Sequence, residues 1–159
     1  MNPGTFFPSN SKLLAPTAFR FVLNRELRHA MRANGCLSLL TIETTRDLGG
    51  TRVSADDETM HEIAQLLHGE MRDRDLLGYT DAGTLSLVLR STDYQRSMSV
   101  INRLTAKLEQ HNFPAPVQIE VGAACYPMHA MGAESLKRWA VSHPVASVAP
   151  SSPSSTDQN

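Results

Sequence analysis

One segment decides between the fold classes open to this sequence: Leu76-Leu-Gly-Tyr-Thr-Asp-Ala-Gly-Thr-Leu-Ser-Leu-Val-Leu89. Two apolar runs, residues 76–79 and 85–89, flank a short Asp-Ala-Gly connection, a pattern that is typical of a β-hairpin. A doubly wound α/β sheet, the competing fold, needs a helix between nearly all of its strands, and this segment has room only for a turn. The segment therefore predicts two adjacent antiparallel strands.

Apolar residues at helical spacing predict helices on both sides of this hairpin. The predicted helices lie at about 19–31, 60–71, 98–108 and 133–142. A largely apolar run at 36–43 suits a central strand covered on both faces, an alternating run at 117–125 suits a further strand, and the polar stretch with Gly49-Gly50 suits a loop. The order αβαββαβα predicts an α+β fold of the ferredoxin-like or palm type, in which a central, mainly antiparallel sheet carries its helices on one face.

Composition and charge narrow the classes of function. The chain has 159 residues, of which 41% are hydrophobic, which is enough for one core. Its 16 acidic and 15 basic residues nearly balance, so no global field recruits nucleic acid or an anionic membrane, and any anion site must be built from particular arginines. Cys36 and Cys125 lack the spacing of a disulfide scaffold, and no segment is apolar enough to insert into a membrane. These features predict a cytoplasmic protein with two buried thiols.

Several segments, in their order and spacing, are similar to those of one known family. They are residues 13–19, the strand at 37–43, the strand with Gly122 and Tyr126-Pro127 at 117–127, the helix start at 136–140 and the hairpin tip at 81–85. Together they resemble the GGDEF domain of diguanylate cyclases over residues 12–143. The resemblance implies the nucleotide-cyclase palm, which agrees with the order of the predicted elements.

The departures from the family's pattern concern catalysis. Active members join two GTP molecules with divalent metals held by acidic side chains, because such hard metals need oxygen ligands. Here the metal-binding aspartate of the first strand corresponds to Thr41, and the two acidic positions of the hairpin signature correspond to Gly83 and Thr84. Asp81 replaces a signature glycine and would repel a triphosphate, while Glu43 can share a face with Thr41 but is displaced along the strand. The resemblance therefore implies a degenerate domain that is not an enzyme and holds no metal or cofactor.

A second motif of the family is retained. Many active cyclases carry an inhibitory Arg-x-x-Asp motif five residues before the signature, and here Arg72-Asp-Arg-Asp75 precedes residues 76–80. Counting without gaps from the signature places a further arginine of that site at Arg103. The resemblance implies that these three residues bind cyclic di-GMP: arginine can bond guanine O6 and N7, aspartate accepts from guanine N–H groups, and Arg103 can reach a phosphate or the second guanine. The alternative is that residues 72–75 form a solvated charge run at a helix end.

The resemblance also divides the chain. Residues 1–11 are an N-terminal extension, residues 12–144 are the degenerate GGDEF domain, and residues 145–159 are a Ser/Pro-rich tail that is expected to be disordered and to lack the family's last strand. Asp57 corresponds to a nucleotide-contacting aspartate of the family, although Asp56 or Asp57 also suits the N-cap of the second helix.

Two functions remain open at this stage. The first is a non-catalytic cyclic di-GMP receptor, in which the ligand changes self-association or docking to a protein partner. The second is a nucleotide-independent interaction scaffold in a biofilm or exopolysaccharide system, which would hold another protein through a sheet edge or through the Phe6-Phe7 segment.

Overall fold

The computed structural model describes residues 13–150, which form one seven-stranded sheet and four helices. The strands are β1 (Leu13–Leu14), β2 (Leu37–Leu48), β3 (Thr51–Ser54), β4 (Leu76–Asp81), β5 (Thr84–Arg90), β6 (Gln118–Tyr126) and β7 (Pro144–Val148). The helices are α1 (Pro16–Arg32), α2 (Asp57–His68), α3 (Tyr94–Gln110) and α4 (Ala133–Ser142). The strand order is β1-β4-β5-β2-β6-β7, with β3 added to β2, and every pair except β1–β4 is antiparallel. The predicted α+β palm with a mainly antiparallel sheet is confirmed.

Helices cover both faces of this sheet rather than the one face that was expected. Buried side chains of α2 and α3 share a core with Leu40 and Ile42 of β2, whereas those of α1 and α4 share a second core with Leu37 and Leu39. Successive strand residues point to opposite faces, so the apolar run of β2 feeds both cores. This explains why the run lacks the alternation of a half-exposed strand.

The hairpin that decided the fold class has a two-residue turn. Asp81 pairs with Thr84, which leaves Ala82 and Gly83 as the connection. Gly83 has a φ of +73°, a conformation that glycine adopts without steric cost. The predicted hairpin is confirmed.

The stretch around Gly49-Gly50, which the sequence predicted to be a loop, is also a hairpin. β2 continues to Leu48 and pairs with β3 from Thr45 opposite Ser54 to Leu48 opposite Thr51. Both glycines have positive φ angles, +60° and +89°, as a tight turn requires. This hairpin extends beyond the core with mostly exposed side chains, so it carries no apolar pattern by which it could have been recognised.

The predicted domain boundary at residue 144 is wrong, because a last strand is present. β7 pairs with β6, with Ile119 opposite Val148, and Val148 is buried in the core under α2 and α3. The strand is short, lies at the sheet edge and starts with Pro144, a position where proline is tolerated. The strand was not predicted because residues 145–159 as a whole have a polar composition. The proposed extension at 1–11 and the remainder of the tail at 151–159 lie outside the described residues.

Close packing at one glycine brings α4 onto the sheet. A Cβ atom at Gly122 of β6 would overlap the carbonyl oxygen of Ala140 on α4.

Both cysteines are free, with Cys125 buried as predicted and Cys36 only partly buried. Within residues 13–150, none of the helices combines the length and apolarity that a membrane span requires.

Candidate functional site

A pocket of about 260 Å³ lies where the α2–β4 connection meets β5 and α3. Its apolar lining comes from side chains that belong to, or pack against, the core between the sheet and helices α2 and α3: Met71, Leu87, Leu89, Val100 and Leu104. Its polar lining comes from the α2–β4 connection, the β5–α3 connection and α3: Glu70, Arg72, Asp75, Thr92, Arg96, Ser99 and Arg103. The three residues that the sequence singled out, Arg72, Asp75 and Arg103, are therefore brought together at one pocket.

The Arg72–Asp75 motif forms a turn with a buried carboxylate. The Asp75 N–H donates to the Arg72 carbonyl oxygen at 3.0 Å, and the Arg72 N–H donates to Asp75 Oδ2 at 2.9 Å. Asp75 is only 5% exposed. The motif is thus not a run of uniformly solvated charges, although Asp73 and Arg74 within it are exposed.

The Arg72 guanidinium is held in place by three groups. Its Nη2 donates to Asp75 Oδ1 at 2.8 Å, and its Nε lies 3.2 Å from both carboxylate oxygens. Nη2 also donates to the Arg90 carbonyl oxygen at 3.2 Å and to Thr92 Oγ1 at 3.1 Å. The hydrogen bond to Asp75 raises the pKa of Arg72 above its usual value. These contacts tie the turn to the end of β5 and leave Nη1 without a hydrogen bond to any residue of the 13–150 range.

Two arginines reach the pocket from α3. Arg103 Nε lies 3.6 Å from Glu70 Oε1, and Lys107 Nζ lies 3.5 Å from Glu70 Oε2. Arg96 lies two helical turns earlier, in the first turn of α3, and its N–H donates to Asp93 Oδ1 at 2.9 Å. Arg96 and Glu70 were not predicted from the sequence as pocket residues. The spacing of seven residues between Arg96 and Arg103, which keeps both on one helix face, was a signal that could have found Arg96.

The positions matched to the family's catalytic acids lie elsewhere. Thr41 is buried between Ser86 and Gly122 on the neighbouring strands, and Glu43 lies between Thr84 and Glu120. A second pocket, of about 490 Å³, opens here. Burial, followed by the charges of Glu120 and Asp81, raises the pKa of Glu43. Over residues 13–150, no group of three or more His, Cys, Asp and Glu side chains is arranged to hold a metal ion.

The N-cap of α2 is Asp56 rather than Asp57. Asp56 Oδ1 accepts a hydrogen bond from the Thr59 N–H at 2.9 Å. Hydrogen bonding with the Thr59 side chain, followed by that with its backbone, lowers the pKa of the Asp56 carboxyl. Asp57 is the first helical residue, and its Oδ1 accepts from the Tyr79 hydroxyl at 3.4 Å. The carboxylate matched to the family's nucleotide contact is therefore engaged with β4.

No family model and no curated protein matches this sequence. Solved structures do match it. The GGDEF domain of TpbB (YfiN) from Pseudomonas aeruginosa matches with a TM-score of 0.70 and 22% identity over 85% of this chain and 84% of that one. The GGDEF domain of DgcB from Caulobacter crescentus, in complex with c-di-GMP, matches with a TM-score of 0.71 and 10% identity over 89% and 86%. A DGC protein from Thermotoga maritima gives 0.71 and 14% over 85% and 98%. The chain thus has the fold of the GGDEF domains, the nucleotide-cyclase palm.

Proposed function

We propose that this domain is a non-catalytic receptor for cyclic di-GMP, which binds through Arg72, Asp75 and Arg103. The observation that carries the proposal is that these three residues, singled out by their register to the hairpin, line a single pocket. The DgcB domain, which shares the fold, was solved with c-di-GMP. The pocket combines a cationic rim with an apolar floor, as a ligand with phosphates and purine faces requires.

Arg72 suits a directional contact to guanine. Its planar guanidinium, a fork of N–H donors, is held in one orientation by Asp75 and by the end of β5. Little side-chain entropy therefore remains to be lost on binding. An end-on bidentate bond to guanine O6 and N7 uses one hydrogen from each Nη atom. Nη1 is available for it, whereas Nη2 must exchange its contact to Thr92 or to the Arg90 carbonyl.

The pocket encloses only part of such a ligand. Its volume of about 260 Å³ lies below the roughly 300–1,000 Å³ that is usual for sites of drug-sized ligands. One guanine base packs against Met71 and Val100, the partly exposed apolar side chains of the lining, above the buried leucines. The phosphates lie over the rim towards Arg103. The rest of the ligand stays accessible to a second protein surface.

We further infer that the domain does not condense GTP. The charge that develops on the reacting phosphates of GTP needs metal ions held by acidic side chains, and the matched positions hold Thr41, Gly83 and Thr84. Glu43 lies opposite Thr84, but burial and the charges of Glu120 and Asp81 raise its pKa and so disfavour the charged form. We expect no cyclic di-GMP above background from GTP with Mg²⁺ or Mn²⁺, measured by chromatography of the products. Sustained turnover by protein free of contaminating cyclase would overturn this inference.

Titration calorimetry with cyclic di-GMP tests the receptor proposal. We expect saturable binding by the wild-type chain that weakens when the Arg72 fork is removed. Binding that is insensitive to Arg72, Asp75 and Arg103 would overturn the proposed site.

A nucleotide-independent interaction scaffold is the second candidate, and a specific surface favours it. Large apolar side chains are exposed on α4 and on the β6–α4 connection: Met128, Met131, Trp139 and Val141. Exposed apolar side chains of this size are candidates for protein contacts. A place in a biofilm or exopolysaccharide system would follow by analogy with the fold family alone. Absence of cyclic di-GMP binding together with capture of a defined protein through this surface would favour the scaffold.

A further inference from the structure

The charges that line the ligand pocket do not cancel. Three arginines, Arg72, Arg96 and Arg103, face two acids, Asp75 and Glu70. Asp75 is paired with Arg72, and Glu70 lies within 3.6 Å of Arg103 and 3.5 Å of Lys107. Arg96 is the pocket arginine that forms no ion pair with an acid of the 13–150 range. The pocket thus carries one positive charge that its own carboxylates leave uncompensated.

We propose that Arg96 binds a phosphate group of the ligand, and this inference rests on the proposed cyclic di-GMP receptor. Arg96 is exposed, and its side chain is not oriented by any of the hydrogen bonds that hold Arg72. A mobile guanidinium is poorly suited to directional reading of a base edge, but it suits a phosphate, which accepts hydrogen bonds from many directions. Arg72 therefore supplies the directional contact and Arg96 supplies charge.

The position of Arg96 on α3 defines which anions it can bind together with Arg103. Seven residues along a helix separate the two arginines by about 10 Å along the axis, so they can contact different groups of one ligand. A ligand with two phosphates can contact both arginines, whereas a mononucleotide reaches only one. The ligand class that fits is a dinucleotide with two negative charges.

The test compares two arginines in the full chain. Arg96→Gln removes the proposed contact, and Arg138→Gln, on α4 at the opposite face of the sheet, makes the same charge change far from the pocket. Glutamine is a good helix former, so neither change should alter thermal unfolding. Binding of cyclic di-GMP and of 5′-GMP is measured by calorimetry at low and high salt.

We expect Arg96→Gln to weaken cyclic di-GMP binding about three- to tenfold at low salt, as for an exposed charge-assisted hydrogen bond, with a smaller loss for 5′-GMP. The loss should shrink towards zero near 1 M salt, because screening removes the charge term. Arg138→Gln should bind like the wild type. If the wild-type chain binds cyclic di-GMP and Arg96→Gln binds it with the same affinity, the role of Arg96 is overturned and the receptor proposal stands. Absence of binding by the wild-type chain overturns both.

Discussion

The Arg72–Asp75 pair connects the candidate site to the stability of the domain. Asp75 is a buried carboxylate, and Arg72 is the cation that neutralises it. Arg72→Ala would leave that carboxylate uncompensated, which costs about 3–5 kcal/mol in a fully buried pair and less here, because the Arg72 side chain is half exposed. An alanine variant therefore mixes a lost ligand contact with a weakened fold.

Arg72→Lys separates the two effects. We expect cyclic di-GMP binding to weaken about ten- to a hundredfold, because lysine keeps a charge beside Asp75 but lacks the planar fork that bonds guanine. The free energy of unfolding should fall less than in Arg72→Ala. Calorimetry and denaturant unfolding measure the two quantities. Arg74→Lys, in the same turn and exposed, is the matched control. Unchanged binding in both variants, which keep the positive charge, would indicate only a diffuse basic patch.

Glu70 competes with an anionic ligand for the cations of α3. Its carboxylate lies near Arg103 and Lys107 when no ligand is bound. We expect Glu70→Gln to strengthen cyclic di-GMP binding about two- to fivefold at low salt, because an exposed ion pair of this kind is worth about 0.2–1 kcal/mol. Glu109→Gln, an exposed residue in the last turn of α3, is the control. Weaker binding in Glu70→Gln would show that the carboxylate contributes to recognition instead.

Among the elements, the β6–α4 connection carries a stack of aromatic rings. The His129 ring lies 4.9 Å from that of Trp139, which in turn lies 4.1 Å from that of His143, and Tyr94 meets His129 edge-on. His129 Nδ1 accepts the Cys125 N–H at 2.9 Å, so the neutral ring carries its proton on Nε2. Burial, followed by the neighbouring His143, lowers the pKa of His129. Protonation of Nδ1 would replace this acceptor with a second donor.

This connection should make stability depend on pH. The pKa of His129 in the folded chain lies below its ordinary value of 6.5, so the unfolded chain takes up the proton first as the pH falls. The contribution of His129 is therefore complete above about pH 6.5 and is lost as the pH falls through the folded pKa. Thermal unfolding at pH 7.5 and 5.5 should show a larger decrease for the wild type than for His129→Asn, which keeps an acceptor but does not titrate. Equal decreases would contradict this assignment.

Elements marked by an apolar pattern in their own residues were predictable from the sequence, and elements without such a pattern were not. The hairpin of β4 and β5 was predictable because two apolar runs flank a connection too short for a helix. β3 and β7 were not, since β3 is mostly exposed and β7 is a short edge strand whose partner, β6, lies some twenty residues earlier in the sequence. Met31, at helical spacing from Leu27, is exposed because α1 ends one residue later.

The residues of the candidate site likewise divide into those that the sequence predicted and those that it did not. Arg72, Asp75 and Arg103 were located by their fixed distances from the hairpin, which a sequence displays directly. The burial of Asp75 and the approach of Glu70 and Arg96 depend on how α3 packs against the α2–β4 connection, and no short spacing encodes that contact.

At the scale of the whole molecule, the β4–β5 hairpin separates the proposed ligand site from the positions matched to the catalytic acids. The pocket lies where β4 begins and β5 ends, whereas Gly83 and Thr84 lie at the hairpin turn. The seven residues of β5 span about 20 Å. Residues at the hairpin turn can therefore differ between related domains without changing the packing of the pocket at the other end.

Calorimetric titration of the full wild-type chain with cyclic di-GMP is the decisive measurement of the receptor proposal. We expect saturable heat that is strongly reduced in Arg72→Lys and unchanged in Arg74→Lys. Absence of heat, together with absence of chemical-shift changes with ligand in large excess, would rule out the receptor and leave the scaffold as the function of the domain.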